Sequence, residues 1–393
     1  MSPLPDTTYV LVGRCLAPSL TDIQREELAR DLDRPAIRWE ALLSEANRQH
    51  VTPLWYSRLK AHGLLSLLPD DLSAYLEQLY AANLARNRML QEELALILAL
   101  FKAHGIPVIL LKGAATFADQ LYVDEGARLM SDMDLLVPEE QLTEAERLLV
   151  MEGYVDDPAN VSLSDVWPGN TRHAHLPGLM HLRKNITVEL HYRVAYGQPG
   201  RLLSINTVCA GSLSGSFRGL ETAWLSPHHR LLHNALHATL PHREFSRGRL
   251  RLSDLAEFAA LVERYPREVA LDRFWQLARD NALSIEIGTY ALLARLLMRT
   301  VVTPHEIAAD SWHRSRLLQS SPCPVNHHGR HATVRRIAWQ IVSFLYDKGR
   351  LPSWTWRNVC YGDAQTPLRA RLACIARLLL TPRMLANIFG KTG

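Results

Sequence analysis

Helical periodicity is broken three times near the middle of this chain, and the breaks constrain the fold more than anything else in it. Residues 106–111 (IPVILL) are a short apolar run between Gly105 and Gly113. A run this short, closed by glycines, reads as a buried strand. Pro107 lies near its start, where a strand tolerates a missing N–H. Residues 134–137 (DLLV) read as a second strand, stopped by Pro138. Residues 186–194 (ITVELHYRV) alternate as a third. Between them, 114–121 is helix-like, and 139–153 is an amphipathic helix with Leu142, Ala145, Leu148 and Leu149 on one face. The expected fold class is α+β: a small mixed sheet flanked by N-terminal and C-terminal helical regions.

The flanks support that outline. From 21 to about 104 the apolar residues recur at helical intervals, and Pro35, Pro53, Gly63 and Pro69 punctuate them. The last helix, about 75–104, ends at Gly105, a good residue just past a helix end. After 153 the chain is polar and loop-like to about 185. Residues 195–225 are rich in Gly and Ser and read as a linker or long loop, and Ser226-Pro227 opens another helix. A length of 393 residues suggests two or three domains at roughly 150 residues each. The expected division is 1–100 helical, 101–200 α/β and 201–393 helical.

Charge and cysteine usage narrow the setting. A net charge of +4 leaves no polycationic segment and gives no support to a nucleic-acid partner. The five cysteines are scattered without a CxxC pair, so neither a disulfide framework nor a zinc ribbon fits, and a reducing cytoplasm is the expected location. No secretory signal begins the chain. The richest apolar stretch, 90–111, is interrupted by Glu92, Glu93, Lys102 and His104, so no transmembrane segment is expected.

The chemistry-bearing residues cluster on the three strands. In extended chain, residues two apart point the same way, so Asp132 and Asp134 present two carboxylates to one face. Thr187, Glu189, His191 and Arg193 share a face of the last strand, opposite Ile186, Val188, Leu190 and Tyr192. Converging carboxylates raise one another's pKa unless a cation neutralises them. An all-oxygen set of this charge favours Mg²⁺ or Mn²⁺. Two such ions about 3.5–4 Å apart can serve a phosphorus centre. Lys112 is one of only six lysines, and with Gly113 it stands at a strand-to-helix turn suited to phosphate. His229, His233 and His237 recur every four residues on one helix face. Lacking a HExxH pattern, they read as cleft lining, with His237 and Asp254 bordering the site.

The strings LLKGAA, RLMSDMDLLV and ITVELHYRV together resemble the nucleotidyltransferase superfamily of the DNA polymerase β type. More narrowly they are similar to an uncharacterised bacterial nucleotidyltransferase family with the pattern KGxA, R…DxDLLV and (D/E)xHWR. The block from Trp39 through His50-Val51-Thr52-Pro53-Leu54 and the section His233, His237, Asp254 agree with it, so the resemblance covers about 30 to 260. It implies a nucleotidyltransferase palm at 101–200, with Asp132, Asp134 and Glu189 as metal ligands and catalytic residues. Two Mg²⁺ or Mn²⁺ ions and a nucleoside triphosphate such as ATP are the implied cofactors. Lys112, Gly113 and Arg128 are the implied phosphate contacts, and His191, Arg193, His175 and His237 the substrate or supporting contacts. Two departures stand out. Gly113-Ala114 replaces the usual Gly-Ser, which leaves Lys112 to substitute for a serine hydroxyl, and Tyr192 stands where the family tends to have Trp. The implied reaction transfers a nucleoside monophosphate to a small-molecule or peptide acceptor and releases pyrophosphate. A non-catalytic nucleotide- or partner-binding scaffold and γ-phosphoryl transfer are the alternatives.

Overall fold

Helix formation in the N-terminal third follows from caps and apolar spacing that agree. Thr21 and Gln24 form a reciprocal capping box that opens α2 (Asp22–Leu32). This helix follows α1 (Thr8–Cys15) and precedes α3 (Trp39–Arg48), α4 (Thr52–Ala61) and α5 (Asp70–Ala103). At 34 residues, α5 is about 50 Å long. It stops as expected: Gly105 takes φ 68°, and the N–H of Ile106 returns to the carbonyl of Phe101 at 2.9 Å.

The central elements are β1 (Ile109–Leu110), α6 (Lys112–Ala118), β2 (Asp132–Leu136), α7 (Leu142–Met151), β3 (Tyr154–Asp156), β4 (Leu179–His181) and β5 (Ile186–His191). Then follow α8 (Gly197–Leu202), α9 (Ile205–Ala210), β6 (Leu213–Phe217), β7 (Leu220–Trp224), α10 (Pro227–Thr239), α11 (Leu252–Arg264), α12 (Leu271–Asp280) and α13 (Ser284–Met298). This computed structural model describes residues 7–156, 174–240, 250–300 and 302. The rest of the expected C-terminal helical region, 303–393, lies outside the described residues.

Seven strands form one mixed sheet in the order β3-β4-β5-β2-β1-β7-β6. β2 runs parallel to β5 and antiparallel to β1, and β1 runs parallel to β7. The α+β class with a mixed sheet between helical segments is therefore the architecture observed. One face of the sheet, with α5 and α7, encloses a core that includes Leu94, Phe101, Met133, Leu135, Val188 and Leu190. A second core joins α1, α3 and α4 to α10, α11 and α13 through residues such as Trp55, Leu232, Phe258 and Tyr290.

Three local expectations are corrected, and one helix lies outside the periodic pattern. The segment 195–225 is not a linker: it holds α8, α9 and the β6–β7 hairpin, whose last strand joins the sheet beside β1. The hairpin turn is Arg218-Gly219, both at positive φ (49° and 81°), a primed turn written without the usual Asn or Asp. The stretch after 153 is not all loop, because β3 and β4 lie in it; they are three residues each, too short to show alternation. α1 also escapes the periodic pattern, since TYVLVGRC is apolar on nearly every side and buried on nearly every side. Finally, β5 ends at His191 rather than 194. The N–H groups of Tyr192 and Arg193 both turn to the Ala174 carbonyl, at 3.0 and 3.1 Å, which ends the alternation.

Candidate active site

Parallel pairing of β2 with β5 sets Asp134 directly opposite Glu189, and Asp132 opposite Thr187. Register and pleat together thus put Asp134 and Glu189 side by side on one face of the sheet. β2 is central, so its apolar partners Met133 and Leu135 are fully buried below. Asp134 is itself buried, at 2% exposure. It tolerates burial because two donors meet it. Lys112 Nζ lies 2.5 Å from Oδ1, and His191 Nε2 lies 2.9 Å from the same atom.

The remaining contacts extend this centre. His191 Nε2 is 3.7 Å from Glu189 Oε2, and His175 Nδ1 is 3.9 Å from that oxygen. The rings of His175 and His191 lie 4.8 Å apart, a neighbourhood set by a backbone bridge between the two residues. Among the described residues, one group of acidic, histidine or cysteine side chains could hold a metal ion. It comprises Asp134, Glu189 and His191, with ligand atoms all within 4.8 Å of one another. Asp132 stands outside that group, half exposed on the same strand, with Ser131 Oγ donating to its Oδ1 at 2.9 Å.

The electrostatics follow from this geometry. Burial pushes the Asp134 carboxyl up, but the Lys112 ammonium and the His191 hydrogen bond outweigh it and hold the carboxyl well below its usual range. Glu189 is likewise lowered, against its burial, chiefly by the His191 ring 3.7 Å away. Burial would lower His191, yet its contacts with Asp134 and Glu189 raise it. Its Nδ1 faces the Arg193 carbonyl at 3.3 Å, so both ring nitrogens face acceptors, as an imidazolium requires. Lys112 is raised despite burial by Asp134, Glu189 and Asp132. His175 is lowered by burial. Two facing carboxylates, braced by an imidazolium and an ammonium, are an oxygen donor set that a hard divalent cation fits.

Other expected residues fall into place differently. Arg128 pairs with Glu257 of α11 at 2.6 Å, and its guanidinium carbon lies 3.4 Å from where a Cβ on Gly113 would be. Gly113 also has a packing reason: such a Cβ would come within 2.2 Å of Met130 Sδ. Arg193 turns away from the acidic pair, to 3.9 Å from Glu139 and over the ring of Tyr192. His237 is exposed and meets His233 edge-on, 6.0 Å between centroids. His229 and His233 are buried in α10, unlike His237. Burial and the charges of His237, Lys112 and His191 hold His233 well below the ordinary value, which places it within electrostatic reach of the site. Glu257 escapes sequence reasoning. Its only signal is its place one helical turn after Asp254.

Residues 35–299 match the family described as uncharacterised nucleotidyltransferase. The chain belongs to that family. None of the curated proteins matches it. A solved structure described as an antigenic nucleotidyltransferase-like protein from Paracoccidioides brasiliensis is similar at 15% identity, covering 50% of this chain and 91% of that one, with a TM-score of 0.29. The family match spans every site residue from Lys112 to Glu257. Among its described residues no helix is long and apolar enough to cross a membrane.

Proposed function

We propose that this nucleotidyltransferase moves a nucleoside monophosphate from a nucleoside triphosphate, ATP among them, to a hydroxyl of a small-molecule or peptide acceptor. The observation that carries this reading is the register of β2 against β5, which seats Asp134 beside Glu189 with Lys112 at their edge. Asp134 and Glu189, with Asp132 beside them, are the groups that would hold Mg²⁺ or Mn²⁺, two ions in this reading, and His191 braces the two carboxylates. When bound, the metal supplies positive charge to the phosphate oxygens and to the acceptor oxygen.

The chain's own groups do the rest. Lys112 and Arg128 offer cationic donors to the phosphates that leave. Glu189, whose side chain is 18% exposed against 3% for Asp134, is the carboxylate an acceptor can reach, and it takes the hydroxyl proton. The acceptor oxygen bonds to the α-phosphorus, the bond from that phosphorus to the bridging oxygen breaks, and pyrophosphate leaves with the electron pair. His191 fixes the two carboxylates relative to each other, so little reorganisation accompanies the step. A cytoplasmic setting, rich in nucleoside triphosphates, belongs to the same proposal.

The test is label transfer. With Mg²⁺ or Mn²⁺ and an acceptor pool, label at the α-phosphate should enter product while pyrophosphate accumulates. Asp134→Asn should cut turnover by about 10³-fold or more with an unchanged circular dichroism spectrum, and a variant near wild-type turnover would sink the assignment. Label arriving from the γ-phosphate instead identifies phosphoryl transfer. A second reading, a nucleotide-binding scaffold, draws on the burial of Asp134 under two cationic donors. Calorimetry separates the two: tight nucleotide binding that ignores the metal and yields no pyrophosphate favours the scaffold.

A further inference from the structure

One oxygen of Asp134 accepts two hydrogen bonds at once. Lys112 Nζ reaches Oδ1 at 2.5 Å and His191 Nε2 reaches it at 2.9 Å. A carboxylate oxygen offers two lone pairs, so Oδ1 is fully engaged, and a metal ion binding this carboxylate comes up against the charge of both donors.

The two donors differ in freedom. His191 lies on β5, is 2% exposed, and faces the Arg193 carbonyl with its other nitrogen at 3.3 Å. It is held from both ends. Lys112 hangs on a flexible stem with 28% of its side chain exposed. Its backbone is also unusual: φ is 42°, a left-handed conformation at a residue with a Cβ, immediately after the Leu111 N-cap of α6. Non-glycine residues keep that conformation only where their surroundings hold them there. At the other end of the side chain the acidic cluster holds the ammonium, with Nζ 2.5 Å from Asp134 Oδ1.

We propose that the Lys112 ammonium is a tethered counter-ion of the acidic pair, standing on Asp134 in the free protein and passing to the nucleotide's phosphates when a divalent cation takes its place. The inference rests on the nucleotidyl-transfer reading of this site and adds an order of events to it. The free protein binds divalent metal weakly, because an ion at the acidic pair meets the like charge of an ammonium already standing 2.5 Å from Asp134. Metal and nucleotide then favour one another, because the nucleotide gives the displaced ammonium a new partner.

The probe is Mn²⁺ alone, without nucleotide, titrated into the full chain and followed by calorimetry and by electron paramagnetic resonance of the free ion. Lys112→Met should bind Mn²⁺ about tenfold more tightly than wild type, since a like charge next to the ligand is gone. Its Mn²⁺-induced rise in thermal midpoint should grow correspondingly, while Lys112→Arg stays close to wild type. An equal or weaker Mn²⁺ affinity in Lys112→Met overturns the inference. Asp134→Asn keeps the two readings apart. If that variant retains Mn²⁺ affinity, the reading of the site itself fails. If it loses affinity while Lys112→Met gains none, the counter-ion alone is wrong. Should Lys112→Met fail to fold, the unsubstituted protein still answers. Labelling of Lys112 by an amine-reactive ester, read by mass spectrometry, should be slow without metal and faster with Mn²⁺, and labelling indifferent to Mn²⁺ overturns the proposal.

Discussion

Arg128 and Glu257 lie 129 residues apart in sequence and meet at 2.6 Å. The arginine is held from behind as well: its carbonyl accepts from Asn83 and from Asn87, at 2.9 and 2.8 Å. Its Nε finds no hydrogen-bond partner among the described residues, so Glu257 carries most of the work of neutralising the guanidinium. Glu257→Gln should therefore destabilise the fold by about 2 kcal/mol. That is less than for a fully buried pair, because side-chain exposures of 23% and 11% leave some screening by water. Urea unfolding measures it. The double variant Arg128→Met, Glu257→Leu should recover much of the loss, because two apolar groups leave no unpaired charge. A double variant no better than the single one would mean that the geometry of the pair matters more than its charge. Sequence reasoning singles out Arg128 but not its partner, because a single acid on a helix face carries no mark of what it will meet across the fold.

The longest helix, α5, works as a polar clamp as much as an apolar wall. Residues 119–131 follow a mostly irregular path, and irregular backbone needs donors for its carbonyls. Asn83 donates to Gly126 and Arg128, Asn87 to Glu125 and Arg128, all at 2.7–2.9 Å. Asn87→Ala should cost about 1 kcal/mol, since the Glu125 carbonyl loses its donor and the Arg128 carbonyl keeps only Asn83, and hydrogen exchange at residues 124–130 should rise with it. Exchange that stays slow there would show the loop is held by other means. α10 makes a different prediction. Burial holds His228 and His229 below the ordinary 6.5, His228 facing the Val269 carbonyl at 3.0 Å with Arg273 nearby. The unfolded chain then binds more protons than the folded one below pH 6.5. Their contribution is complete above that value and is lost as pH falls through the window beneath it. His191, raised in the fold, has the opposite sign: its contribution is complete below 6.5 and fades as pH rises through its folded value. The thermal midpoint should fall between about pH 7 and pH 5, and the double variant His228→Gln, His229→Gln should flatten that fall. Elements with a strong period or a sharp stop, such as α5, α7, β2 and β5, are legible in the sequence. The β6–β7 hairpin is not, because its edge strand is mostly exposed and Ser-rich and its turn lacks the usual residues. The Asp134–Glu189 pairing is half legible: alternation gives each residue's face, but only the parallel register places the faces together.

At the scale of the whole described unit, the first and last helices share a core of their own, beside the one that the sheet forms with α5 and α7. Tyr9 of α1 donates to the Leu250 carbonyl at 3.2 Å, and Gln49 accepts from the N–H of Leu252 at 3.0 Å. These contacts span more than two hundred residues and tie the entry of α11 to the N-terminal helices. Cooperative unfolding follows, because neither group of helices can keep its apolar face covered once the other leaves. Gly13 is the point where this can be tested. A Cβ there would lie 3.2 Å from both Leu252 Cδ2 and Leu297 Cδ1, so a larger side chain presses α11 and α13 away at once. Gly13→Leu should cost about 1–3 kcal/mol by overpacking. The loss should appear at the same denaturant concentration in near-ultraviolet circular dichroism and in hydrogen exchange at the amides of β2 and β5. That coincidence is the informative part. If the strands stay protected after the helices have melted, the sheet stands without its helical flanks, and the pairing of Glu257 with Arg128 is not needed to hold the acidic pair. If both signals move together, the geometry of the acidic pair depends on contacts made more than a hundred residues away, and small changes at α1 should weaken Mn²⁺ binding as well as stability.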